Sequence, residues 1–155
     1  MKRISILFAI IIALGMSKVN AQAFDGKGSF MIGPTVGLSW GAAFGVTADY
    51  GLNDNWSLGG DVMYTSYSSI GTDFTLIGVL AAASYHFDFL GKEWDPYLKG
   101  GLGYMNWSVS GIGASPSAFG IMGQAGVRYY LKDNLALRAS LGAPYYIGVG
   151  VDFKL

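Results

Sequence analysis

Two sets of side chains in this sequence could do chemistry. In "SYHFDF", Ser84, His86 and Asp88 recur at every second position. An extended chain puts alternate residues on one side, and a hydroxyl, an imidazole and a carboxylate together are the parts of nucleophilic acyl transfer. The motif is short, and three polar residues along one face of a strand read as easily without any reaction. The second set is Asp49, Asp61, Lys99, Arg128, Arg138 and Asp152, three acids and three bases. One reading makes them the selectivity lining of a narrow pore; the other makes them a network of ion pairs filling an interior. With no cysteine and one histidine, the chain offers no disulfide, thiolate site or multi-histidine metal site. It calls for no cofactor.

Which reading holds depends on the elements that carry these residues. Alternation marks eight strands near 28–38, 43–51, 55–67, 74–88, 96–108, 118–131, 135–142 and 145–155. The last, "YIGVGVDFKL", shows the pattern most clearly: Ile147, Val149, Val151, Phe153 and Leu155 alternate with Gly148, Gly150, Asp152 and Lys154. No charged residue falls on the apolar side of any strand. The other side holds the six charged residues, His86, many glycines and all four methionines beyond the leader, Met31, Met63, Met105 and Met122.

Alternation alone does not say which side is inside. The non-apolar side is rich in glycine and lacks the Lys and Glu of a sheet face in water, which suits the crowded interior of an eight-stranded barrel. Aromatic residues on the apolar side gather at the strand ends, Phe30, Tyr50, Trp56, Tyr85, Phe87, Tyr129 and Phe153 at one, and Phe44, Tyr64, Tyr104, Phe119 and Tyr145 toward the other. Between them lies Val, Leu, Ile and Ala. Aromatic girdles around an aliphatic band are what a bilayer selects. The expected fold is therefore all-β, an eight-stranded antiparallel up-and-down transmembrane β-barrel. Closure leaves no strand edge in hydrocarbon, and the last strand pairs with the first. Because eight strands leave no aqueous channel, the charged set reads as a plug of ion pairs, with the methionines as core filling.

The start of the chain is an address. Lys2 and Arg3 precede the apolar "ISILFAIIIAL", and small residues follow up to Ala21 and Ala23. This predicts a secretory signal peptide over 1–21, cleaved after Ala21 or Ala23, and a barrel domain over 22–155. Removing Lys2, Arg3 and Lys18 leaves seven basic residues against ten acidic. That balance and export together argue against nucleic-acid binding. "YGLNDNWSL" (Tyr50 to Leu58) and "YYLKDNLAL" (Tyr129 to Leu137) match at five of nine positions. Each reads as a turn between strands, and both turns belong at one end, periplasmic if both termini lie there. The opposite connections, near Ser39 to Ala42, Ser68 to Asp73, Ser110 to Ser117 and Gly142 to Pro144, are short, poor equipment for adhesion through loops.

The Asp-Asn turns, "DPYLKGGLGY" (Asp95 to Tyr104) and the terminal "VGVDFKL" give a resemblance across the whole chain beyond the leader. It is similar to the small outer-membrane β-barrels of Gram-negative bacteria, of the OmpX and OmpA-transmembrane type, and especially to the "porin family" and outer membrane β-barrel domain proteins of Bacteroidota. The resemblance implies residence in the cell outer membrane and contact with its lipid and lipopolysaccharide. It also implies delivery by the barrel-insertion machinery through the C-terminal strand, which here ends in Leu155 rather than an aromatic residue. The residues themselves point to a structural role or minor small-solute transport, and an enzyme is not expected. An alternative, a lipid A-modifying enzyme using Ser84 and His86, is disfavoured because His86 falls near the periplasmic end, away from the outer leaflet.

Overall fold

In the computed structural model, residues 24, 26–88, 90–111 and 115–155 are described; the predicted signal peptide and its cleavage points lie outside them. Eight strands follow in order: β1 (Phe30–Leu38), β2 (Ala42–Gly51), β3 (Trp56–Ser69), β4 (Thr72–His86), β5 (Trp94–Val109), β6 (Ser117–Lys132), β7 (Leu135–Gly142) and β8 (Tyr145–Lys154). Each pairs antiparallel with the next, and β8 returns to β1, with Val36 opposite Val149 and Leu38 opposite Ile147. Among the described residues there is no helix. The strands agree with the alternation to within two residues at nearly every boundary, because a single period of two runs through each of them.

The apolar register faces outward. Val36, Phe44, Val62, Ile77, Leu102 and Val149 are exposed, while Thr35, Thr47, Asp61, Leu80, Lys99 and Arg138 on the alternate side are buried. Two apolar clusters lie inside the barrel. At the end carrying the termini, Met31, Tyr130 and Ala136 cluster. Toward the far end, Ala43, Met63, Leu76 and Tyr145 form a second apolar cluster against Met105 and Trp107. Glycine makes room for rings: a Cβ on Gly126 would collide with the ring of Tyr97, and one on Gly45 with the hydroxyl of Tyr145.

Tyr145 corrects the expected outer girdle. It is 1% exposed and lies inside, its hydroxyl 3.4 Å from the carbonyl oxygen of Val62. The cause is a bulge. Leu141 stands opposite Ile147 but Gly142 stands opposite Tyr145, so β8 carries Tyr146 as an extra residue. One inserted residue reverses the facing of what precedes it. Tyr146 takes the outward place, edge-on to Trp40 at 5.9 Å.

The wall is uneven in height. Strands β3 to β6 have 14 to 16 residues, whereas β7, β8, β1 and β2 have 8 to 10. Pairing of β6 with β7 begins only at Gln124 opposite Gly142, so residues 117–123 of β6 have a strand neighbour on one side alone. The β3–β4 hairpin turns through Ile70 and Gly71 with φ of 51° and 73°.

Candidate functional site

All eight strands send polar side chains to one layer in the lumen. Thr35 comes from β1, Thr47 and Asp49 from β2, Ser57 and Asp61 from β3, His86 from β4, Asp95 and Lys99 from β5, Arg128 from β6, Arg138 from β7 and Asp152 from β8. Alternation gives every strand an inward face, and each spends one or two of those positions here.

Arg128 is the hub. Its Nε donates to Asp152 at 2.7 Å, Nη1 to Asp95 at 3.2 Å and Nη2 to Asp49, and its guanidinium lies 4.8 Å over the ring of Tyr97. A planar fork with several donors suits this task better than an ammonium would. Lys99 lies 3.1 Å from Asp49 and 3.3 Å from Asp61. Asp61 accepts from Thr47, and Arg138 joins Asp152 at 2.9 Å and donates to Thr35. Asp49 Oδ1 and the Arg138 Nη1–Asp152 Oδ1 pair are close ion contacts set off the hydrogen-bond axis. Every charged member is buried, Arg128 completely.

All six charged residues singled out in the sequence lie in this layer, together with Asp95, which sequence reasoning left just outside the fifth strand. Asp95 shares the parity of Tyr97 and Lys99, and extending that strand by one residue would have found it. It makes four carboxylates against three cations. It also changes the reading of His86. The imidazole Nδ1 lies 2.7 Å from Asp95 and Nε2 lies 2.9 Å from Ser57 Oγ. Asp88 is exposed beyond the end of β4, because the strand stops at His86 and alternation no longer governs the chain. Ser84 is buried but its hydroxyl meets no partner among the described residues. The expected Ser84–His86–Asp88 grouping is thus replaced by Ser57, His86 and Asp95.

On the outer wall, Trp56 and Tyr85 meet edge-on at 5.1 Å, Tyr85 and Phe87 at 4.9 Å, and Trp94 lies 4.7 Å from Tyr129. Trp94, like Asp95, fell outside the expected strand. Phe30, Tyr50 and Phe153 are also outward at this end, and Phe44, Tyr64, Tyr104 and Phe119 toward the other.

A closed antiparallel barrel with an apolar outer wall and a packed, charged interior defines a small integral outer-membrane protein. Residues 8–154 match the family model of the outer membrane protein beta-barrel domain, and the chain belongs to that family. Its barrel is similar to the N-terminal β-barrel domain of Pseudomonas aeruginosa OprF, at 25% identity and a TM-score of 0.62, covering 84% of this chain and 100% of that one. Neisserial surface protein A shares the fold at 22% identity and a TM-score of 0.59, over 82% of this chain and 94% of that one. OprG of Pseudomonas aeruginosa shares it at 11% identity and a TM-score of 0.65, over 89% and 99%. No curated protein matches the chain significantly.

Proposed function

We propose that this chain is a plugged outer-membrane barrel, a structural element of the membrane whose lumen passes no steady ion current. The observation that carries this is Arg128, completely buried and bound to three carboxylates supplied by β2, β5 and β8. Moving it would strand those charges in a tight interior at a cost of several kcal/mol, and the apolar clusters lie on both sides of the layer. Planar-bilayer recording tests it: purified protein is expected to stay silent, and large steady currents would overturn the plug. Graded liposome swelling covers the remaining alternative, a narrow passage for small uncharged solutes. In this reading the termini end is periplasmic, the exposed aliphatic wall meets lipid, and a leader over 1–21 is cleaved during export. Intact mass of the isolated protein should begin at Gln22 or Phe24.

One observation favours a second role, recognition at the far end. Even-numbered residues of β6 turn their backbone toward β5: the Tyr130 N–H donates to Glu93 and Pro116 accepts from the Trp107 N–H. Odd-numbered Phe119 and Ile121 therefore turn theirs to the open side, and both side chains are well exposed. Such an edge can accept an extended strand of another protein. A synthetic peptide of the sequence Ser117–Gly123 is a suitable probe, since antiparallel pairing about Gly120 sets Phe119 against Ile121 twice. It should slow hydrogen exchange at the amides of Phe119 and Ile121; unchanged exchange at millimolar peptide would defeat the role.

A further inference from the structure

The lumen end that carries the termini has a feature the ion-paired plug does not require. The ring of Phe24 lies flat on the imidazole of His86, with centroids 3.7 Å apart and planes 2° from parallel. Both ring nitrogens of His86 are already engaged, by Asp95 and Ser57, and Tyr97 leans on it at 6.1 Å. Phe24 covers a remaining face. We propose that Phe24 and the turn Gly26–Ser29 form a built-in stopper for the periplasmic mouth, with Phe24 as a removable tip that decides whether aqueous reagents reach the Ser57–His86–Asp95 chain.

The stopper has a fixed base, Gly26–Ser29, and a light tip, Phe24. At the base, the Gly28 N–H donates to Gly51 at 2.9 Å, the Gly51 N–H to Ser29 at 2.8 Å, and the Ser29 hydroxyl to Gly26 at 2.8 Å. Gly26 turns the chain back with φ of +72°, and a Cβ there would approach the backbone of Asp54 to 3.0 Å. Only glycine suits both demands. The base is thereby tied to the β2–β3 connection. The tip rests on its ring contact with His86 and is only half buried. An aromatic stack is a modest interaction, enough to keep the tip seated for most of the time and little enough to let it leave. Ser57, bonded to the imidazole that Phe24 covers, is wholly buried. The proposal adds a second closure to the plugged lumen and does not depend on that plug being tight.

The absence of cysteine makes the test clean. Ser57→Cys introduces a single thiol behind His86, and its modification by methyl methanethiosulfonate is followed in folded, detergent-solubilised protein by mass. Labelling is expected to be slow with Phe24 in place and at least tenfold faster with Phe24→Ala, while Phe24→Tyr stays slow because it keeps the ring. The heat-dependent gel shift of the barrel shows that each variant is folded. If Phe24→Ala does not fold, Phe24→Leu serves, with a rate between the two. Equal rates with and without the ring would overturn the stopper, as would a parent that labels as fast as a free thiol. Bilayer recording separates the two readings. A Phe24→Ala barrel that labels quickly yet stays silent supports the stopper, whereas one that labels quickly and conducts keeps the stopper and refutes the ion-paired plug.

Discussion

At the scale of single residues, Arg128 concentrates the most energy. Its guanidinium binds Asp49, Asp95 and Asp152 in a site with no access to water. Removing one partner of a buried pair costs more than the pair contributes, because the charges left behind stay desolvated. Arg128→Ala should therefore lower barrel stability by about 3–5 kcal/mol, read as a shift of the urea midpoint for loss of the folded gel band. Gly126 is a second sensitive point. It lies under the ring of Tyr97, which in turn lies under Arg128. Gly126→Val should cost about 1–3 kcal/mol by overpacking and weaken the near-ultraviolet circular dichroism of the displaced tyrosine. Gly120, where an added Cβ would meet nothing within 4 Å, should accept alanine with little change in either measurement.

Among the elements, the β3–β4 hairpin carries a local mismatch. Ile70 holds a φ of 51° at the tip of the turn, where it is fully exposed. A β-branched residue pays for the left-handed region with steric strain, and nothing around it repays that. Ile70→Asn creates the Asn-Gly pair that such two-residue turns favour. It should raise stability by about 1 kcal/mol, visible as a higher midpoint in the same urea titration. The bulge in β8 shows the opposite case, a local irregularity with a packing use. It turns Tyr145 inside, where it fills the space left by Gly45 and joins Met63 and Leu76. The predicted outer girdle loses one member there and gains Tyr146. Alternation in "PYYIGVG" fits both facings of Tyr145, since the two neighbouring tyrosines are equally apolar. The choice was made by the register against β7.

For the whole molecule, closure and the polar layer depend on each other. Each strand contributes to the layer, and a slip of one residue in any strand would turn a polar side chain out to the apolar wall. The network thus fixes register around the barrel as well as filling it. Because the wall is apolar all round, the protein should remain a heat-modifiable monomer-sized band in detergent and precipitate once detergent is removed. A dissolved, folded species without detergent would contradict a membrane-facing wall, and light scattering during detergent dialysis decides between the two.

The period of two settled a good deal before any tertiary information. It marked the eight strands, the apolar side and the six charged positions on the other side, because in a sheet the facing of a side chain follows from parity alone. Parity works only inside a strand, which is why Asp95 and Trp94, just below the expected start of β5, and Asp88, just past the end of β4, were misjudged. What the chain by itself could not decide is which charges meet. Asp49 and Arg128 lie 79 positions apart, and Ser57, His86 and Asp95 come from three strands. Such contacts depend on the stagger at which the sheet closes on itself, a property of the whole ring of strands that no single segment encodes.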